Sequence, residues 1–201
     1  MAIIGIKDAI YAPISSYTPG SAPTYGTGKK FASAVMVNVT YDRRDNPFYA
    51  EDVIEDYDRG ISGGTTAFEG NDLEDTDLPG LLGEIEHQTT PTSGDPVTDY
   101  YLVGDKPIPE VGFGYIRVKR KKGVLSYEGV VHLREQFALD SLDATTKKQS
   151  IEWGTTKLTG KLMGVEVDNS GIEMFIAHKT FTTYAAAQAF THGMLNYTPP
   201  T

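Results

Sequence analysis

The sequence predicts a mainly β fold, a β-sandwich or barrel with a helix packed on it. Three observations predict it. Several stretches alternate apolar and polar residues at the period of a strand, turn residues punctuate them at regular intervals, and only two short segments carry helical patterning. At 201 residues the chain is long enough to bury one substantial core. No repeat and no interior linker divides it, so residues 1–201 read as a single domain with an arm or loop at about 15–30 and a tail at about 196–201.

The elements follow in order. After a short apolar start, "SSYTPGSAPTYGTGKK" is rich in Ser, Gly, Pro and Thr and reads as a long loop. "FASAVMVNVTY" alternates Val35, Val37 and Val39 with Ala34, Met36, Asn38 and Thr40, which is a strand with its valines inward. "YAEDVIEDYDRG" is ambiguous. Asn46 before Pro47 suits a helix start and Ala50, Val53, Ile54 and Tyr57 fall at helical spacing, yet period two is no worse, and neither gives a clean apolar stripe.

"GGTTAFEGNDL" reads as a strand opened by Gly63-Gly64. "EDTDLPGLLGEI" reads as a short helix with acids in its first turn and Leu78, Leu81 and Leu82 as its buried side. The polar loop "HQTTPTSGDP" then leads to "DYYLVG". "EVGFGYIRVKRKKGVLSYEGVVHL" is the clearest hairpin: Val111, Phe113 and Tyr115 alternate, residues 120–123 turn, and Leu125, Tyr127, Val131 and Leu133 return. "SIEWGTTKLTGKLMGVEV" and "GIEMFIAHKTF" read as a second pair joined at Asp168–Gly171. The alanine run after Thr183, a fitting N-cap, is a helix.

Composition excludes several functions. A net charge of −9 argues against a protein that grips nucleic-acid backbones, which needs clustered Lys and Arg. The absence of Cys removes disulfides, thiolate nucleophiles and Cys-ligated zinc. Lys7 and Asp8 interrupt the N-terminal apolar run, so no signal peptide is read, and no apolar run approaches the roughly 20 residues that span a bilayer. The expectation is a chain kept in a cytoplasm, or leaving it by another route.

Enzyme-like fragments fail on spacing. "YGTGKK" lacks the first Gly and the Ser or Thr of a P-loop, and "GFGYIR" lacks the third Gly of a dinucleotide fingerprint. Asp75, Asp77, Gly80 and Glu86 fit positions of a calcium loop, but Pro79 supplies no side-chain oxygen where a ligand is needed. His87, His132, His178 and His192 have no metal-ligand spacing. The reading is therefore no enzyme, no cofactor and no metal.

Charge segregation is the stronger signal. Residues 42–86 hold 14 carboxylates against Arg43, Arg44 and Arg59, a net of −11, while "RVKRKK" over residues 117–122 is the basic pole. A solvated acidic edge and a basic turn that keeps the sheet soluble explain this by charge alone. Complementary contact between copies, or a surface that must repel a polyanion, explains it as well.

In order, "GIKDAIYAPI", "FYAEDVIEDYDRGISGGTTAFEGNDLEDTDLPGLLGE", "EVGFGYIRVKRKKGVLSYEGVVHL" and "SIEWGTTKLTGKL" resemble the phi13-type major tail proteins of long-tailed bacteriophages. The chain after about Lys179 matches that family less well. The resemblance implies a structural tail-tube subunit, with a fold like the tubes of type VI secretion. Six copies form a ring, inner sheets join into one barrel with a helix outside, and rings stack into a virion-tail tube that passes DNA.

It also implies extended structure at residues 47–59, and as partners the chain itself, tape-measure, tail-terminator and distal tail proteins, with no membrane insertion. Under that resemblance, Asp52, Glu55, Asp56 and Asp58 are candidates for the lumen or the next ring. The loop Arg43, Arg44, Asp45 and the arm Ser15–Lys30 are candidates for ring contacts. The basic tip, Arg117, Lys119, Arg120, Lys121 and Lys122, is a candidate for docking on a neighbour. Rival readings are the tube of a contractile injection system and a monomeric β-sandwich binding carbohydrate or protein, in which Tyr100, Tyr101 and Trp153 share an exposed face.

Overall fold

The computed structural model describes residues 2–50, 53–71, 73, 77–91, 93–141 and 155–199. The long strands are β1 (Ala2–Ser16), β4 (Ala34–Ala50), β5 (Val53–Gly70), β8 (Val111–Lys121) and β9 (Val124–Ser141). Shorter ones are β2 (Thr24–Tyr25), β3 (Lys29–Lys30), β6 (Ile85–Thr89), β7 (Val97–Tyr101), β10 (Thr156–Leu162), β11 (Val165–Glu166), β12 (Glu173–Met174) and β13 (Ile176–Phe181). The described residues also form two helices, α1 (Leu78–Leu82) and α2 (Tyr184–Met194). The chain is mainly β and its strands pair antiparallel, as expected.

The main sheet runs β2-β1-β8-β9-β10-β5-β4, with β3 on β1 and β13 on β9. It curls until β1 and β4 touch without a ladder between them. Inside the curl lies an aromatic core. Phe31 stands at its centre, with ring centroids 5.6 Å from Tyr11, 4.4 Å from Phe68, 5.3 Å from Phe113 and 5.5 Å from Phe137. Such tilted and edge-on pairs are the arrangement aromatic quadrupoles favour. Leu81 and Leu82 of α1 join this cluster.

β8 and β9 are covered on both faces. Phe113, Tyr115 and Val130 point into the aromatic core, while Ile10, Ala12 and Val131 point outward and meet Leu195 just past α2. Glycines make this approach possible: a Cβ on Gly114 would stand 2.9 Å from Leu195, and one on Gly129 would stand 2.7 Å from Phe190. Thr183 caps α2 as expected, its Oγ1 accepting from the Ala186 amide at 3.3 Å.

Several expectations are corrected. Val35 is exposed, because a bulge at the start of β4 makes it the extra residue and leaves Ala34 and Val37 facing the core. "YAEDVIEDYDRG" is not one element: Ala50 pairs with Val53, so the chain reverses within it and no single period fits both arms. Its arms are extended. The strand expected to open at Gly63-Gly64 begins ten residues earlier, at Val53.

The basic turn is only Lys122 and Gly123, with φ of 48° and 83°, the left-handed pair that matches hairpin twist. Leu125 beside it is exposed. The first turn of α1 holds no acid; Asp77 is its N-cap residue. Residues 85–89, expected in helix and loop, pair with β7. The second predicted hairpin is limited to the two-residue β11–β12 ladder, because β10 and β13 both dock on β9 instead of on each other. The segment after β1 folds back upon it: β2 and β3 pair with β1, and Tyr17 Oη accepts from the Glu166 amide at 2.9 Å.

Candidate assembly surface

β4 and β5 form the feature that a self-contained core does not explain. β10 flanks β5 only as far as Gly64, but the β4–β5 ladder continues from Asp42–Gly63 to Ala50–Val53. Eight residue steps at about 3.4 Å each carry a two-stranded hairpin roughly 27 Å past the sheet. Its distal apolar side chains are open: Phe48 and Tyr49 are 60% exposed, Val53 64% and Ile54 49%. Glu55 and Asp56 are exposed beside them. An isolated two-stranded hairpin is at best marginal in water.

Charge is graded along the hairpin. At its base, Asp42 pairs with Lys161 of β10 at 2.8 Å. Arg43, Arg44 and Asp45 lie in β4, not in a loop, and Asp45 pairs with Arg59 across the ladder at 3.3 Å. Asp58 stands opposite Asn46 in the ladder. Asp52 lies outside the described residues, as does Trp153 of the proposed aromatic face. Tyr100 and Tyr101 are successive residues of β7 and so point to opposite sides.

The expected basic pole divides in two. Arg120, Lys121 and Lys122 are exposed at the turn. Arg117 and Lys119 are instead drawn onto the buried Glu128, with Nη2 and Nζ at 2.6 and 2.7 Å from the same carboxylate oxygen. His178 of β13 stands 3.4 Å from the other oxygen. Arg117 Nε is left buried without a partner. Burial pushes the Glu128 carboxyl up, but the close Lys119 ammonium and the Arg117 charge outweigh it and hold it below its ordinary value.

A cleft of about 540 Å³ opens where β1 and β4 meet without a ladder. Ile3 and Ile6 of β1, Val37 and Val39 of β4, and Ile176 of β13 supply apolar walls, and Arg117 supplies a cation at the rim beside the His178 ring. Tyr115 lies at its base, its hydroxyl pushed up to about 12 chiefly by burial.

No family model matches the chain, and no curated protein matches it.

Two polar pairs escaped the sequence reading. His132 and Glu135 are fully buried, Nδ1 to Oε2 at 2.7 Å, with Thr66 Oγ1 at 3.5 Å from the same nitrogen. Residues three apart on a regular strand face opposite ways. Here a bulge, seen where Phe113 faces His132 but Val111 faces Glu135, turns both inward. Asp8 is the second case. It sits in a β1 irregularity with φ of 57°, and its Oδ2 lies 2.7 Å from His192 Nε2 and accepts from Gln188 Nε2 at 3.1 Å, fastening α2 to β1. Nothing in residue spacing links positions 184 apart. Among the described residues no group of three or more His, Asp or Glu is arranged to hold a metal ion, and no helix is long and apolar enough to cross a membrane.

Proposed function

We propose that this chain is a structural tube subunit, a bacteriophage tail-tube protein whose copies form sixfold rings that stack into a conduit for DNA. The observation that carries the reading is the β4–β5 hairpin, which displays Phe48, Tyr49, Val53 and Ile54 to solvent on a ribbon that is two-stranded among the described residues. Exposed apolar side chains clustered in this way mark protein contact surfaces. Among the described residues no further strand pairs with the outer edge of β4 or with the second edge of residues 2–8 in β1, which supports the same reading, because unpaired strand edges invite further strands and a closed ring removes them by symmetry.

The acids suit a conduit. Carboxylates repeated around a lumen repel DNA over a Debye length of about 8–10 Å, whereas a basic wall makes phosphate contacts that stall passage. Glu55 and Asp56, with Asp52 and Asp58 from the same segment, are the residues assigned to the lumen or the next ring. Tape-measure, terminator and distal tail proteins are the partners such a tube requires, and the virion tail is its place.

Negative-stain microscopy of the purified chain across a concentration series tests this. Hollow rings or tubes of sixfold symmetry are the expected result. A monodisperse monomer at the highest concentration, with no rings on added salt or crowding agent, overturns it.

A further inference from the structure

We infer that the cleft between β1 and β4 is the receptor for the β4–β5 hairpin tip of a second copy of this chain. The inference deepens the tube-subunit reading and rests on it. Both surfaces are incomplete alone. The cleft has apolar walls from Ile3, Ile6, Val37 and Val39, open to solvent where the sheet fails to close. The tip has four exposed apolar side chains and, among the described residues, no further strand paired with it.

Charge selects this occupant. Arg117, Lys119 and His178 converge on the single carboxylate of Glu128, and two of them, Arg117 and His178, line the cleft. Arg117 and Lys119 thus share one carboxylate, and at the cleft Arg117 keeps its Nε buried without a hydrogen-bond partner. The tip brings Glu55 and Asp56 next to its apolar residues. An acidic, aromatic-aliphatic ribbon thus meets an apolar cleft with a cationic rim, the complementarity that fixes register between partners.

The tip of the same copy is not available. Tyr41 and Ile61, near the base of the hairpin, themselves line the cleft, and the continuous ladder carries the tip away from it. The contact is therefore between copies, and in a ring it is heterologous, hairpin of one copy into cleft of the next, the kind of contact that closes into rings or extends into filaments.

The chain has no Cys, so introduced thiols report cleanly. Phe48→Cys and Val39→Cys are made in separate chains, mixed, and oxidised under assembly conditions; Lys122→Cys replaces Phe48→Cys as the control. The expected result is a covalent dimer from the first pair, at least tenfold more abundant than from the control. Glu55→Lys is expected to lower its yield by about threefold or more, with the circular dichroism and melting curve of the monomer unchanged. Rings that form in the microscope with no crosslink above control overturn the docking inference and leave the tube reading standing. Absence of any assembly overturns both.

Discussion

Replacing His132 by Leu is expected to cost about 1–3 kcal/mol, the range for leaving a buried acceptor without its hydrogen-bond partner. The structure shows why the loss is large. Glu135 is fully buried, its Oε2 is bonded to His132 Nδ1 at 2.7 Å, and its Oε1 already lacks a partner. Without the imidazole, the carboxyl stands beside Gly160 and Phe137 with the bond to Oε2 lost. Replacing both residues by Leu removes the stranded group together with its partner, so the double variant is expected to be more stable than His132→Leu alone. The assay is urea unfolding followed by far-ultraviolet circular dichroism on the four members of the cycle, with constant slope as the check on two-state behaviour. A cost below about 1 kcal/mol for His132→Leu, or a double variant less stable than either single one, refutes the pairing as the reason these residues tolerate burial.

Other expectations follow from the same structure. Glu128 is held below its ordinary value of 4.5, so its ion pairs stabilise the fold above that pH and are lost as pH falls through the lower folded-state value; Glu128→Gln should flatten this acid limb in a pH series of melting temperatures. Tyr11 and Tyr25 are pushed upward from 10.0 chiefly by burial, so stability is full below pH 10 and declines as pH rises above it, and Tyr11→Phe should blunt the alkaline loss. Asp8→Ala should destabilise by about 1–3 kcal/mol through the lost contacts to His192 and Gln188 and the strained φ, whereas Asp8→Gly should recover only the backbone part, read by thermal unfolding. Gly114→Ala should cost about 1–3 kcal/mol and raise hydrogen exchange in α2, since its Cβ displaces Leu195.

The mainly β class was legible because strands that bury a face alternate, and β8 with β9 shows this from Val111 to Tyr115. Thr183 announced α2 because capping is local chemistry. What sequence reading lost was lost at irregularities. One extra residue at Val35 turns that valine alone out to solvent, and one bulge in β9 brings His132 and Glu135 together against the period. The acidic ribbon resisted both periods because the chain turns around inside it. The pairing of β10 and β13 depended on β9 being long enough to seat both along one edge, a fact of the whole sheet. Arg117 and Lys119 looked like part of a basic tip because spacing does not reveal a buried acid on the facing strand.

The pairing of β1 with β8, from Ala2 with Arg120 to Pro13 with Val111, sets an order for synthesis. At roughly 5–20 residues per second, the intervening hundred or so residues leave the ribosome over about 5–20 s. Through that interval one edge of the N-terminal strand has no companion, while the β4–β5 hairpin, whose partners are near in sequence, is free to form. The short β2 and β3 returns reach β1 within its first thirty residues, and occupy part of its other edge before the sheet arrives. A nascent chain stalled before Val111 would therefore present both an open strand and a finished sticky hairpin, a combination suited to premature association on crowded polysomes.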